Sequence, residues 1–502
     1  DMRGGTLTIN CNSGAPTVQS VTNFTLASGG QNTIAINPGA GQTATLNLAA
    51  ITRGTAAGTL RITSPGTLGT DAFVTTSTAN GSHGLVGLSG FATVSDSTGG
   101  TWFATNSGGN IVPLVSTIKD DISTWLPMDH VTSSAGFFGA FPGAIQIGSL
   151  RFDAPSAAAP TLAPDNVLTI ESGGILITDS VVAGTPGILN GTLAASGAAN
   201  DIIVRHDGIP LFTISAQIGA TNAFTKAGPG PVRLTSNNNT FTGAVNIQNG
   251  TLQVSGGNAI GDNSPVTLAD DHVSMFQILN DETIGRLSGG NITTGLNLLA
   301  TVDVGANTLT INNTGASTTY AGFFTGTGTI IKRGFGANTN LNVQNLSNLF
   351  FGSLVVDEGL FQLSNIGQLD ASSITINREG VLLLDNNGTT RSGTRILDTT
   401  PITLHSASGA FAGETRPRGL ALRTDQDSGT NVSETVGVLT FGSGANYVAV
   451  DNSGGTNSRP ILTAANFVRQ NNATLDARGR NFGDTAAAAQ RLTDDPAWYE
   501  GG

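Results

Sequence analysis

The sequence predicts an all-β fold, a parallel β-helix (β-solenoid) in which short strands stack coil upon coil. The clearest evidence lies between residues 225 and 268, where short runs of Val, Leu and Ile alternate with polar residues. Alternation at period two over so few residues is typical of strands with one buried face. The runs are separated by Gly- and Asn-rich corners such as Asn249-Gly250, which tolerate positive φ and therefore allow sharp turns.

A second observation is that this pattern recurs downstream. Gly243 and Leu252 match Gly352 and Phe361 at a constant shift of 109 residues (352 − 243). The strand–corner–strand units show no helical pattern between them. Because one coil alone has nothing against which to bury its apolar face, such units are expected to stack into a solenoid with loop insertions.

The run from Lys226 to Val254 closely resembles the autotransporter-associated β-strand repeat. The positions that carry the resemblance are Lys226, Gly228, Gly230, Leu234, Asn239, Thr240, Phe241, Gly243, Gly250, Thr251 and Leu252. Phe241 stands where this repeat usually has tyrosine, and a weaker copy over residues 332–376 lacks the Asn-Thr-Tyr corner. The resemblance implies a right-handed β-helix in a secreted or surface protein of bacteria, and it implies no catalytic residue.

Composition limits the classes of protein to which the chain can belong. Its 502 residues exceed one ordinary globular core, whereas a solenoid core grows along one axis. The hydrophobic share of 38% is too high for disorder, and a net charge of −12 without clustered Lys and Arg argues against nucleic acid.

Cysteine usage and hydropathy exclude further classes. Cys11 is the single cysteine, so the chain forms neither an internal disulfide nor a cysteine zinc cluster. This thiol is either buried or without a role of its own, or it forms a disulfide with another chain. Continuous apolar stretches stay well below the ~18 residues of a membrane-spanning helix, so we expect no transmembrane segment.

The two ends of the chain carry the same pattern. Residues 1–28 align without gaps onto 416–443 at a shift of 415 (418 − 3), with 8 identities that include Val21 with Val436. The chain also begins at Asp1, with no basic and apolar leader. We therefore expect one unit of about 415 residues followed by the start of the next, as a segment of a tandem-repeat array. The alternative is that both ends are similar coils of one passenger.

Strand patterning divides the chain into five segments. These are solenoid coils at 1–70, a loop-rich lateral insertion at 71–146, a solenoid with the repeats 226–268 and 332–376 at 147–415, the start of the next unit at 416–483, and a polar, alanine-rich tail at 484–502. Within the insertion, Ser116 or Thr117 is expected to cap a short helix. The insertion also holds an aromatic cluster, which consists of Trp102, Phe103, Trp125, Phe137, Phe138 and Phe141. This cluster is either a small core beneath a loop or a candidate interface.

Candidate catalytic residues are sparse. A β-helix that cleaves polysaccharides needs grouped carboxylates, and the adjacent acids that have a histidine beside them are Asp270-Asp271 with His272. Adjacent residues of a strand point to opposite faces, so this trio favours a solvated corner. The five histidines are scattered, without the spacing of a metal site. We therefore expect no enzyme, no cofactor and no metal site, with calcium at Asp and Asn corners left open.

These observations favour a structural extracellular protein that forms a surface fibre, filament or matrix element, because duplicated coils lengthen a solenoid. Unpaired β edges favour self-association end to end, and lateral packing is a further option. The alternative is an adhesin whose loops at 71–146 and 385–415 bind a surface or a glycan. A polysaccharide-degrading β-helix enzyme is the third class. In each case we expect a location at the bacterial cell surface and no nucleic-acid partner.

Overall fold

The computed structural model describes residues 1–27, 30–54, 58–196, 201–219, 223–270, 272–291, 300–334, 339–345, 349–387, 394–407, 419–424, 432–452, 460–479 and 491–493, with backbone alone at 452 and 491–493. In these residues the structure has 48 β-strands and one short 3₁₀ helix. The chain divides into two compact units, Asp1–Gln277 and Ile278–Gly502. Apart from residues 491–493, the alanine-rich tail predicted at 484–502 lies outside the described residues.

The first unit begins with a short three-sided solenoid. Its strands are β1 (Gly5–Asn10), β2 (Thr17–Ser20), β3 (Phe24–Leu26), β4 (Gln31–Asn37), β5 (Ala44–Asn47), β6 (Ile51–Arg53), β7 (Thr59–Thr63), β8 (Ala72–Thr75), β9 (Ala92–Ser95), β10 (Thr101–Ser107) and β11 (Asn110–Pro113). Strands β1, β4, β7 and β9 stack in parallel on one side, β2, β5 and β8 on the second, and β3 and β6 on the third. The antiparallel pair β10–β11 joins β9 and β8 and thereby closes one end of this solenoid.

Alternation of side chains explains the core of these coils. In β4, Ile34 and Ile36 are fully buried while Thr33 and Ala35 between them are partly exposed. Stacking in register places Ile34 between Leu7 of the previous coil and Ile62 of the next. Each coil therefore buries the apolar face of its neighbour, as the period-two pattern predicts.

A second, longer solenoid follows, and all of its residues except Ile278 lie in the same unit. Its strands are β12 (Thr117–Ile118), β13 (His130–Ser133), β14 (Ile145–Ile147), β15 (Ser149–Phe152), β16 (Ser156–Ala158), β17 (Val167–Ile170), β18 (Gly174–Ile177), β19 (Ala183–Thr185), β20 (Gly187–Ile188), β21 (Thr192–Ala195), β22 (Asp201–His206), β23 (Phe212–Ile214), β24 (Gln217–Ile218), β25 (Ala223–Ala227), β26 (Val232–Leu234), β27 (Ala244–Ile247), β28 (Gly250–Val254), β29 (Val266–Leu268) and β30 (Ser274–Ile278). The parallel stack β12–β13–β15–β18–β22–β25–β27–β29 forms one side. The stacks β14–β17–β21–β24 and β20–β23–β26–β28 form the others.

The helix predicted near residue 116 is not formed there. Thr117 instead pairs in parallel with Val131 as part of β12, so a sheet contact replaces the expected N-cap. The helical segment is the single 3₁₀ turn η1 (Ile122–Thr124), whose N-cap is Asp121. The Asp121 carboxylate accepts the Ser123 N–H at 3.0 Å, which satisfies a donor at the start of the turn.

The two solenoids of the first unit pack side by side. Arg53 Nη1 lies 2.7 Å from Asp201 Oδ2, and the N–H of Gly228 donates to Gln31 Oε1 at 2.9 Å. Ile203 of the longer solenoid belongs to the apolar core cluster of the shorter one. Charged, polar and apolar contacts thus join segments about 150 to 200 residues apart in sequence.

Two glycines allow a close backbone approach at this junction. A Cβ atom built on Gly90 would lie 2.6 Å from Gly174 Cα, a distance that side chains do not tolerate. Gly90 also donates its N–H to Ser172 O at 2.8 Å. Residues 71–146, predicted as a lateral insertion, therefore supply strands of the first solenoid and part of its contact with the second.

The second unit continues with coils of the same kind. Its strands are β31 (Glu282–Ile284), β32 (Leu287–Gly290), β33 (Ala300–Asp303), β34 (Thr308–Asn312), β35 (Thr318–Ala321), β36 (Phe323–Gly326), β37 (Thr329–Arg333), β38 (Leu341–Val343), β39 (Leu349–Phe350), β40 (Ser353–Leu363), β41 (Ser373–Asn386), β42 (Ile402–His405), β43 (Leu420–Thr424), β44 (Val432–Ser443), β45 (Ala445–Asn452), β46 (Pro460–Arg469), β47 (Thr474–Arg478) and β48 (Arg491–Thr493). All pairs with a defined register between these strands are parallel, and long strands such as β40 run through a corner and pair on both sides of it.

The stacked parallel strands of each unit confirm the predicted class: the chain is an all-β parallel β-helix. Its core consists of Val, Ile, Leu and Phe ladders that face inward in both units. In the part of the chain that the structure describes, no helix has the length and apolarity needed to cross a membrane.

Candidate functional site

The repeat motif surrounds a buried lysine. Lys226 of β25 is fully buried, and its Nζ donates hydrogen bonds to the backbone oxygens of Ala227 (3.1 Å), Gly228 (2.6 Å) and Asn249 (2.7 Å). The Ala227 oxygen lies at the end of β25, the Gly228 oxygen lies at the corner that follows, and the Asn249 oxygen lies one coil later, so the amine joins consecutive coils. Burial lowers the pKa of Lys226 to about 7; the Asp207 carboxylate opposes this fall, and the Arg205 guanidinium adds to it.

Lys332 repeats this arrangement in the second unit. Its side chain is buried, and its Nζ donates to the backbone oxygens of Arg333 (2.6 Å) and Glu358 (3.2 Å). Burial also lowers the pKa of Lys332 to about 7. The lysine of each repeat copy thus donates hydrogen bonds to backbone oxygens of its own corner and of the next coil.

Glycines are required at two corners of the motif. Gly228 and Gly250 have φ values of +77° and +72°, which L-residues rarely adopt. A Cβ atom on Gly228 would lie 2.4 Å from His206 O, and one on Gly250 would lie 2.5 Å from Pro229 O. Both conformation and space therefore exclude a side chain at these positions.

Asn239 links three coils at the polar corner of the motif. Its Oδ1 accepts the Ile218 N–H at 2.7 Å, and its Nδ2 donates to Ala259 O at 2.8 Å. Phe241 is fully buried and stacks on Phe224 with ring centroids 6.5 Å apart. Of the other motif positions, those that are buried are Gly230, Leu234 and Leu252, those that are partly buried are Gly243 and Thr251, and Thr240 is exposed. The structure places the motif residues in contacts within and between coils.

Part of the predicted aromatic cluster forms a packed ladder. Trp125 contacts Phe137 and Phe141 edge to face, with ring centroids 5.2 and 5.6 Å apart. Phe137 contacts Phe152 of β15 at 5.0 Å, and Phe152 contacts Phe212 of β23 at 5.3 Å. All five rings are buried. The ladder extends the apolar core of the longer solenoid into residues 125–141.

The remaining members of the aromatic cluster lie apart from this ladder. Trp102 and Phe103 belong to β10, where the two solenoids of the first unit meet. The Arg151 guanidinium stacks over the Trp102 ring at 3.7 Å and donates from Nε to Thr101 O at 2.8 Å. Phe103 is buried, whereas Phe138 is 59% exposed. Contact of the aromatic cluster with another chain stays a prediction.

The candidate catalytic trio is only partly described. Asp270 is exposed and His272 is half-buried, while Asp271 lies outside the described residues. Across the described ranges, no three His, Cys, Asp or Glu side chains are grouped as a metal site requires. Two histidines that sequence spacing does not connect, His83 and His130, are neighbours, and burial lowers the pKa of both.

An open depression in the second unit carries charged side chains. Its lining consists of Arg333, Asp357, Glu358, Asn377, Arg378 and Glu379. Asp357 accepts from Arg333 Nε at 3.0 Å and from Asn377 Nδ2 at 2.5 Å, and Glu358 accepts the Gly334 N–H at 3.2 Å. These two carboxylates therefore serve as hydrogen-bond acceptors that join neighbouring coils.

A buried ionisable pair in the second unit matches no sequence motif. Arg395 and Glu434 are fully buried. Arg395 donates to Asn386 Oδ1 at 2.9 and 3.1 Å, and Glu434 Oε1 accepts the Ile396 N–H at 2.9 Å. Burial raises the pKa of Glu434 to about 7, while the Ile396 hydrogen bond and the Arg395 charge oppose this rise. The sequence signal for Glu434 is its position in β44. It lies two residues after Val432, on the face of the strand that points inward.

Replacing Glu434 by glutamine should remove a pH-dependent contribution to the stability of β44. A pKa raised from 4.5 to about 7 means that the contribution is fully present below pH 4.5 and is lost as the pH rises through about 7. Hydrogen exchange of the β44 amides at pH 5 and pH 8 measures this loss, and we expect a smaller difference in opening free energy for Glu434→Gln. Glu379→Gln, which changes a carboxylate whose side chain is 38% exposed, should keep the wild-type difference. Equal pH dependence in all three chains would contradict the assignment.

Comparison with known proteins identifies the repeat. The family model described as passenger-associated-transport-repeat matches residues 224–254, the segment that contains the Lys226 corner. The chain carries an autotransporter passenger repeat. This match confirms the resemblance that the motif positions of residues 226–252 predict.

A curated relative extends the similarity beyond the passenger repeat. The protein named Adhesin BmaC autotransporter, from Brucella suis biovar 1 (strain 1330), is 27% identical over 383 residues. The aligned region covers 73% of this chain and 10% of that protein, so the chain spans about a tenth of the length of the relative. No solved structure matches the chain.

Proposed function

We propose that this chain is a section of a bacterial surface passenger whose stacked coils form a structural scaffold outside the cell. The observation that carries the proposal is the use of the passenger repeat: Lys226 and Asn239 bond backbone groups of neighbouring coils. Side chains that make such contacts hold neighbouring coils together. The side chains that face outward take no part in these contacts. The proposed role requires no catalysis.

The location and form of the protein test this proposal. Protease added to intact bacteria that express the natural protein should degrade this region while cytoplasmic proteins survive. Electron microscopy of the purified chain should show elongated particles, because coils add length along one axis. Protection from protease in intact but not in lysed cells would refute the surface location, and compact round particles would refute the scaffold.

Adhesion is a second candidate, supported by the similarity to the protein named Adhesin BmaC autotransporter. The specific observation that favours it is a concentration of exposed large apolar side chains between residues 115 and 138. These are Val115, Ile118, Leu126, Met128 and Phe138, with exposures from 38% to 79%. Exposed apolar side chains in one region are typical of interaction surfaces.

A matched pair of triple variants tests adhesion. Ile118→Ser, Leu126→Ser and Phe138→Ser together should reduce attachment of expressing bacteria to their target surface. The control triple Val182→Ser, Ile209→Ser and Val273→Ser removes side chains with exposures of 52%, 69% and 58% elsewhere in the first unit. Equal attachment by both variants would contradict a binding role for residues 115–138.

A further inference from the structure

A segment of the shorter solenoid reaches onto the longer one at the junction inside the first unit. It consists of residues 81–90, which lie between β8 and β9. Ser82 Oγ donates to Glu171 Oε1 at 2.6 Å, and the Gly90 N–H donates to Ser172 O at 2.8 Å. Glu171 and Ser172 lie between β17 and β18, so the segment bonds the longer solenoid near both of its ends.

Leu85 anchors this segment by apolar contact. It is 1% exposed and belongs to one cluster with Phe103 and with Leu176 of the longer solenoid. Its N–H donates to the imidazole Nδ1 of His83 at 3.1 Å, and its carbonyl oxygen accepts the Gly81 N–H at 2.9 Å. The turn that presents Leu85 to the longer solenoid therefore uses an unprotonated His83 Nδ1 as an acceptor.

A second imidazole approaches the same turn from the longer solenoid. His130 is the first residue of β13, and its Nδ1 lies 2.9 Å from Ser149 Oγ. Its Nε2 lies 3.5 Å from the position that a Cβ atom on Gly84 would take. Gly84 directly follows His83, which is 2% exposed. The two imidazoles thus belong to different solenoids and lie next to each other where the solenoids touch.

Two carboxylates act on these imidazoles from the elements that pack around them. Glu171 acts on His83 and Asp129 acts on His130, and Asp129 is also paired with Lys119 Nζ at 2.5 Å. Burial lowers the pKa of both imidazoles below 6.5, and the charge of His83 lowers the pKa of His130 further. Backbone hydrogen bonds and the two carboxylates oppose this fall. The folded junction therefore favours the neutral rings.

We propose that residues 81–90 form an acid-sensitive latch, which protonation of His83 and His130 releases from the longer solenoid. A proton on His83 Nδ1 puts a donor opposite the Leu85 N–H, which ends the hydrogen bond of the turn. A second proton on His130 places two positive charges next to each other at a buried contact. Release uncovers Leu85 and Leu176, so acid converts a closed junction into an exposed apolar surface.

The direction of the pH dependence follows from the lowered pKa of each imidazole. The stability that the neutral rings contribute to the junction is fully present above pH 6.5, the pKa of an unfolded histidine. It is lost as the pH falls through the lower pKa values of the folded chain. The latch concerns the junction inside the first unit, and it does not depend on a scaffold or an adhesive role of the protein.

Hydrogen exchange of the full chain of 502 residues at pH 7.5 and pH 5.0 tests the latch. The Gly90 N–H is the reporter, because it bonds Ser172 O across the junction. After correction for intrinsic exchange, which itself depends on pH, its protection should be lower at pH 5.0 by about tenfold or more. The amides of Leu252 and Val254 in β28 are the reference. They belong to another side of the longer solenoid and should keep their protection within about twofold.

A double variant tests whether the two imidazoles are responsible. In His83→Asn with His130→Asn, each asparagine Oδ1 lies near the position of the imidazole Nδ1 and can accept a hydrogen bond there without titrating. Gly90 protection in this variant should differ by less than about twofold between the two pH values. His405→Asn is the matched control, because His405 Nδ1 also lies near a serine hydroxyl, Ser443 Oγ at 3.2 Å. The control should show the wild-type loss of protection.

Three results would overturn the latch. The first is equal Gly90 protection at pH 7.5 and pH 5.0 in the wild-type chain, a measurement that needs no variant. The second is a parallel loss of protection at Leu252 and Val254, which would mean that acid unfolds the unit as a whole. The third is the wild-type loss in the double variant, which would assign the pH dependence to other groups.

Discussion

Replacing Phe152 by alanine should lower the free energy of unfolding of the first unit by about 4 kcal/mol. Phe152 is fully buried, and its ring contacts Phe137 at 5.0 Å and Phe212 at 5.3 Å. The truncation leaves a cavity in the core and removes two edge-to-face contacts worth about 1 kcal/mol each. Urea denaturation followed by tryptophan fluorescence measures the loss, because Trp125 belongs to the same ladder.

The matched control for this prediction is Phe138→Ala. Phe138 directly follows Phe137 in sequence but is 59% exposed, so its removal should change the free energy of unfolding by less than about 0.5 kcal/mol. Equal losses for Phe152→Ala and Phe138→Ala would show that the ladder does not stabilise the solenoid. Comparable stability of Phe152→Ala and the wild-type chain would have the same meaning.

Phe137 and Phe138 also show why part of the site was not predictable. Sequence alone marks residues 102–141 as aromatic-rich, but burial alternates along an extended segment and depends on which face meets the core. Phe137 is 5% exposed and packs into the ladder, whereas Phe138 faces outward. Composition therefore locates such a cluster and does not divide it into core and surface.

The coil architecture was predictable because its signal is local. Val232–Leu234 is a strand with two buried residues around a partly exposed one, as period-two alternation predicts. The positions of the corners follow from Gly228 and Gly250, whose positive φ is a local property of glycine. Strands such as Ala44–Asn47 and Val266–Leu268 repeat the alternation, and corners such as Gly305 and Gly359 repeat the positive φ, so the fold class follows from the sequence.

Contacts over long sequence separations have no such signal. Arg53 and Asp201 lie 148 positions apart and form a salt bridge only because the two solenoids of the first unit pack together. Thr117 was expected to begin a helix, but pairing with Val131 selects a strand. Tertiary partners decide the structure in these places, and the local sequence does not name them.

Replacing Lys226 by methionine should lower the free energy of unfolding of the first unit by about 3 kcal/mol at neutral pH. Methionine retains an apolar stem of similar size, so the change removes the amine while limiting the loss of packing. The backbone oxygens of Ala227, Gly228 and Asn249 then remain buried without the donor that Lys226 supplies. Urea denaturation of both chains measures the difference. Arg378→Met, which removes a cation whose side chain is 81% exposed, should change the stability by less than about 0.5 kcal/mol.

The pH dependence of this variant separates the amine from simple packing. The folded-state pKa of Lys226 is lowered from 10.5 to about 7, so the associated stability is present above pH 10.5 and is lost as the pH falls through about 7. The wild-type chain should therefore gain stability relative to Lys226→Met as the pH rises from 7 to 10. A constant difference across this range would contradict the lowered pKa, and no difference at any pH would show that the corner carbonyls find other donors. In the latter case the amine could not be what joins consecutive coils at this corner, and the stacking there would rest on the β-ladders and the apolar core alone.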